Sequence, residues 1–123
     1  MNFEDNTFDL VCESTMFVQI FDDYLSQKIS NEILRVTKHR GYIMLSDWRY
    51  NKPNNQNYRA LSRKRISHIF RIGSKSELCG IYKGALVPPV GRFLSRRMPF
   101  AYFTVQFILP FLVGQLTTIL RKY

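Results

Sequence analysis

Residues 22–47 read DDYLSQKISNEILRVTKHRGYIMLSD. The first twenty carry the punctuation of a helix: Asp22 or Asp23 as N-cap, Leu25, Ile29, Ile33 and Leu34 on one face, Arg35, Lys38 and Arg40 in the last turns, and Gly41 as the stop. Behind Gly41, YIMLS (42–46) is an apolar run of strand length. Upstream, the turn-forming EDN precedes Phe8 to Cys12, an aromatic and branched run that ends near Glu13 and predicts a short buried strand. Strand, helix, strand in this order asks for a right-handed crossover and a parallel pair, so the fold class is α/β.

Downstream, NKPNNQN (51–57) is a loop, and YRALSRKRISHIF (58–70) predicts a helix with Leu61, Ile66, Ile69 and Phe70 on its apolar side and a basic opposite face. SELCGIYKGALV (76–87) predicts a strand interrupted by glycines. PPVGRFLSRRM (88–98) starts a helix at its prolines, and PFAYFTVQFIL (99–109) continues as a second helical piece. FLVGQLTTILRK (111–122) has the alternation of a closing strand.

A chain of 123 residues has room for one domain, 1–123. Its net charge of +9 is uneven, because residues 1–40 carry 7 acids and 4 bases while 41–123 carry 2 acids and 14 bases. An anionic partner would therefore meet the second part. Cys12 and Cys79 are too few and too far apart for a disulfide framework or a zinc site, His39 and His68 lack partners at ligand spacing, and no metal is expected. Met1 is followed by neither a basic leader nor an apolar core, and reduced thiols complete the expectation of a cytoplasmic protein. The most apolar stretch, Phe100 to Val113, is shorter than a span of roughly 20 residues, contains Gln106 and Pro110, and reads as core.

Three segments together resemble a known family. NFEDNTFDLV (2–11) is similar to the PF-x-D-x-S-FD-x-V segment of the class I S-adenosylmethionine-dependent methyltransferases of the type 11 group, through Phe3, Asp5, Phe8, Asp9 and Val11. NEILRVTKHRG (31–41) resembles the family's L-x-E-x-x-RVLKPGG, through Glu32, Arg35, Val36, Lys38 and Gly41, with His39 and Arg40 in place of Pro-Gly. The tail resembles the ending GALVPPLGR…LPFLVGQ…RK. The resemblance implies a partial Rossmann-like sheet, the fourth to seventh strands with their flanking helices, the first three strands missing.

The same resemblance implies S-adenosylmethionine as cofactor, with Cys12, Glu13 and Ser14 near its methionine part. Family members also hold the cofactor with a glycine-rich turn after the first strand, so that the backbone can approach it. Here the glycines stand at 41, 73, 80, 84, 91 and 114, and no two are spaced as G-x-G. The end of the next strand offers Asp47 as a carboxylate to orient or deprotonate an acceptor, and Trp48, Arg49 and Tyr50 as its walls. Gln19 stands where many members have a histidine.

Two functions compete on these residues. One is a methyltransferase whose cofactor site is completed by a missing N-terminal half or a second copy, with an acceptor that the sequence does not name. The other is a non-catalytic basic module, in which Arg59, Arg63, Lys64, Arg65 and Arg71 meet nucleic acid, an anionic membrane or a partner methyltransferase chain. A solvated helix face is the plain alternative for those five cations.

Overall fold

The computed structural model describes residues 2–48, 59–84, 88–108 and 114–123. Strand β1 (Phe8–Ser14), helix α1 (Asp23–Val36) and strand β2 (Thr37–Trp48) form the first unit. Helix α2 (Arg63–Ile69), strand β3 (Ser76–Lys83), helices α3 (Pro88–Arg97) and α4 (Tyr102–Ile108) and strand β4 (Gln115–Lys122) follow. The sheet order is β1-β2-β4-β3. The β1–β2 pair is parallel, as the strand-helix-strand pattern requires, whereas β4 runs antiparallel to both β2 and β3.

Register sorts the side chains onto two faces. Val11 stands opposite Ile43 and Glu13 opposite Leu45, while Ile43 pairs with Leu120 and Leu45 with Thr118. Because strand side chains alternate, Asp47 shares this face and Met44 and Ser46 take the other. The first face meets α1 and α2 through Ile33, Leu34, Ile66, Ile69 and Phe70, and Phe17 packs edge-on against Phe70 with ring centroids 5.7 Å apart. On the second face Leu10 and Tyr42 are exposed.

The inward side of α1 holds Ile33 and Leu34 as expected, with Ile29 packed on the core, but departs from the expected face at Leu25. Ser26, Ser30, Ile33, Leu34 and Val36 are buried, while Leu25 is exposed. Small serines let α1 approach α2 closely, and their hydroxyls are satisfied there: Ser30 Oγ donates to the Ile69 carbonyl at 2.7 Å, and Gln27 Nε2 donates to the same oxygen at 2.8 Å.

Helix α1 also stops earlier than Gly41. Thr37 is already extended and pairs with Phe8, and its hydroxyl donates to the Ile33 carbonyl at 2.6 Å, closing the last turn. The β1–β2 register then jumps from Phe8↔Thr37 to Leu10↔Tyr42, so Lys38 to Gly41 form a bulge. The left-handed residue in it is Arg40, at φ 62°, not Gly41. Gly41 serves close approach instead: a Cβ there would meet the Lys38 carbonyl oxygen and Thr37 Cγ2 at 2.9 Å.

Helix α2 is shorter than expected. Ser62 caps it, accepting from the Arg65 amide at 3.2 Å, because the preceding residues are held extended by Arg59 N–H on the Val18 carbonyl and Leu61 N–H on that of Trp48. The part of this segment before Arg59 lies outside the described residues. Strand β3 carries a bulge between Leu78 and Gly80. The reading of Phe100 to Val113 as core is overturned where described: Phe100, Phe103 and Phe107 are 81, 75 and 82% exposed. The inward residues of this arm are Val90, Leu94, Ala101, Tyr102 and Val105, packed with Leu116. A 3-10 turn at Pro99–Ala101 sets the register of α4, and that register turns the phenylalanines outward. Among the described residues no helix is long and apolar enough to cross a membrane.

A non-glycine residue in the left-handed region costs about 1–2 kcal/mol. Arg40→Gly is therefore expected to raise the urea unfolding free energy by about 1 kcal/mol, and Gly41→Ala to lower it through the contacts named above.

Candidate active site

The carboxyl ends of β1 and β2 lie side by side, Glu13 opposite Leu45 and Ser14 opposite Ser46. Past Ser14 the chain turns sharply, with Thr15 at φ 57° and its N–H on the Ser46 carbonyl at 3.1 Å. Glu13 drives this turn: its Oε1 accepts from the amides of Met16 at 2.5 Å and Phe17 at 3.4 Å, and a 3-10 turn over Phe17–Gln19 follows.

Glu13 and Asp47 are 6 and 3% exposed and face each other across the two strand ends. Burial raises both carboxyls. For Asp47 the neighbouring Glu13 charge adds to burial, pushing it up to about 7, against the pull of the Trp48 and Val18 amides. For Glu13 the amides of Met16 and Phe17 oppose the rise. Glu13 Oε2 and Asp47 Oδ2 have no donor of their own. One proton held between the two carboxyls satisfies both oxygens and relieves the repulsion, as in other close carboxyl pairs.

Arg65 completes the buried polar cluster. Its guanidinium donates to the carbonyls of Phe17 (2.9 Å), Ile20 (2.7 Å) and Arg59 (3.1 Å) and to Ser26 Oγ (3.0 Å). This corrects its assignment to a phosphate-binding face. Arg59 is likewise engaged inside the protein, with the Phe21 carbonyl at 2.9 Å and Asp23 at 2.5 Å. Arg63, Lys64 and Arg71 remain exposed. The sequence held a signal for Arg65: Arg65 and Ile69 are spaced by four and Ile66 is adjacent, which puts the arginine on the apolar side of α2.

Of the other candidates, Cys12 and Ser14 are exposed and line a groove of about 640 Å³ between β1 and α1, with Val11, Glu13, Leu25 and Ile29 among its walls. Trp48 packs against the core and borders a cavity of about 510 Å³ with Gly91, Arg92, Ser95, Arg96 and Tyr102 of α3 and α4. No residue pattern signals that α3 flanks Trp48. Arg49 and Tyr50 lie outside the described residues. Gln19 is exposed, its amide on the Thr15 carbonyl.

No family model matches the chain, and no curated protein matches it. Solved structures do. An S-adenosylmethionine-dependent methyltransferase from Methanosarcina mazei is 14% identical, with a TM-score of 0.64 over 99% of this chain and 62% of that one. One from Archaeoglobus fulgidus is 12% identical, with a TM-score of 0.59 over 98% of this chain and 62% of that one. The cyclase SpnF is 16% identical, with a TM-score of 0.59 over 99% of this chain and 52% of its own. The chain thus spans less than two thirds of the length of these structures. The fold is that of the S-adenosylmethionine-dependent methyltransferases, and a protein named as a cyclase shares it.

Two outcomes follow from the cluster. Arg65→Lys, which cannot span four acceptors, is expected to cost about 2–4 kcal/mol in chemical denaturation, from acceptors left buried without donors. The raised carboxyls bind their proton more tightly folded than unfolded. Their contribution is therefore full below the ordinary Asp value of 3.8 and is lost as pH climbs through about 7. Glu32, held down to about 2 by Arg35, acts below this window. Asp47→Asn should shrink the decline in stability across it, leaving the part due to Glu13, measured as urea midpoints at constant ionic strength.

Proposed function

We propose that this chain supplies one wall of an S-adenosylmethionine-dependent methyltransferase site, as the C-terminal part of a type 11 domain. The observation that carries the reading is the sheet: a parallel β1–β2 pair joined to an antiparallel β4–β3 pair, with an acidic cluster at the carboxyl ends of the parallel strands. Ligands of open α/β sheets bind at such strand ends.

The residues present fit part of the cofactor. The groove along β1 has an apolar floor in Val11, Leu25 and Ile29, and Cys12 and Ser14 are open to it. When bound, the cofactor supplies an electrophilic methyl group on a sulfonium. Glu13 shapes the turn after β1, so the backbone of residues 13–15 is held where the methionine part would lie. Asp47 touches Glu13 rather than the groove, and acts as a positioning residue that holds a proton at the strand ends. Trp48, followed by Arg49 and Tyr50, walls the acceptor. Alignment contributes most to a transfer of this kind, and a dedicated base is not required.

The second wall comes from another polypeptide unit, an N-terminal half or a second copy. Among the described residues β1 pairs only with β2, which leaves its outer edge open beside the groove. Calorimetry with S-adenosylhomocysteine tests the reading, on this chain alone and on this chain joined upstream to a strand with a glycine-rich turn. Heat is expected only from the joined form. Absence of heat from both rejects the cofactor, and binding by the chain alone rejects the two-wall arrangement.

A further inference from the structure

The outward side of the α3–α4 arm combines two features that have no use inside the fold. Phe100, Phe103 and Phe107 follow one another at intervals of three and four, so they form a single ridge along the turn at Pro99 and α4. Their exposure leaves roughly 400 Å² of aromatic surface in water, as much as the largest patch of an ordinary monomer. Phe93 and Ile108, also exposed, lengthen it. Beside the ridge, Arg92, Arg96 and Arg97 of α3 are exposed and form no ion pair among the described residues. Beyond Glu77 the sequence contains no acidic residue and six basic ones.

We propose that this arm docks the protein on an anionic lipid surface, the phenylalanines entering the acyl boundary and the arginines meeting headgroup phosphates. Charge selects the occupant. An apolar ridge on an arm whose charged residues are all cations suits an interface that is apolar within and negative outside, and arginine stems can lie along the apolar layer while their heads stay wet. A single strand of nucleic acid would want its stacking rings set in a cationic groove; here the rings crown a convex helix whose partner helix bears the charge. The arm also borders the cavity beside Trp48, so docking brings the rim of that cavity to headgroup level. The inference does not depend on methyl transfer.

The test is co-sedimentation of the full chain with phosphatidylcholine vesicles, with and without phosphatidylglycerol, at low and high salt. Binding is expected only with the anionic lipid, weakened by salt and by roughly fivefold for each of Arg92, Arg96 and Arg97 changed to Gln. Phe100→Ser, Phe103→Ser and Phe107→Ser together should reduce it by at least about tenfold, whereas Phe→Leu at the same sites should retain it; thermal melting checks that each variant is folded. Arg63→Gln with Lys64→Gln on α2 should leave binding within about twofold. Three results overturn the proposal: no partition onto anionic vesicles, partition unaffected by the serine variant, or a lipid-free dimer that the serine variant turns into a monomer. Tighter, ridge-dependent binding to an RNA oligonucleotide than to vesicles overturns it as well.

Discussion

A single guanidinium sets the geometry of the strand ends. Arg65, 8% exposed, reaches from α2 to carbonyls on both sides of the 3-10 turn that follows β1, to the carbonyl of Arg59 and to a hydroxyl near the start of α1. Without it, four acceptors from three segments, the turn after β1, the stretch at Arg59 and α1, would be buried with no donor. The planar fork of arginine, with five donors in one rigid arrangement, is what lets one side chain do this. Burial and the nearby Arg59 charge both lower its affinity for the proton, and the Asp23 and Asp47 charges counter them.

The acidic pair depends on that frame. Glu13 and Asp47 come within reach of each other because β1 and β2 are parallel and in register at their ends, and they stay buried because Phe17 and Val18 close over them. Two carboxylates placed so would repel strongly if both were ionised, so the site favours a form that keeps a proton near neutral pH. Such a pair is a preorganised polar point at the place where a doubly wound sheet binds ligands. The groove by Cys12 lies between β1 and α1, and the cavity by Trp48 is bordered by α3 and α4.

Much of this was legible in the residues. The alternation of apolar runs with the Asp22-capped segment led to the parallel pair, and Leu61, Ile66, Ile69 and Phe70 are buried as their spacing requires. Boundaries were less legible, because they are decided by tertiary hydrogen bonds: Thr37 is drawn into the sheet by Phe8, and residues 59–62 are held extended by Val18 and Trp48. Ile33 and Leu34 of α1 are buried as expected, but Ser26 and Ser30 were not foreseen beside them, because hydropathy cannot value a serine whose hydroxyl meets a buried carbonyl or guanidinium. The phenylalanine ridge ran against the ordinary rule that apolar means inside, since the Pro99 turn rotates it away from Leu116.

The position of β4 has a consequence for how the molecule is assembled. This strand lies between β2 and β3, and its partners are remote: Tyr42 pairs with Arg121, and Ser76 with Lys122. During synthesis β2 and β3 are complete long before the segment that must slot between them, and each presents a bare hydrogen-bonding edge in the interval. Closing such a distant pairing pays loop entropy before any ladder bond rewards it, so acquisition of the native sheet is slow and the nascent chain is exposed to self-association. A helper that shields strand edges would act on the polypeptide in that interval, before the finished protein exists.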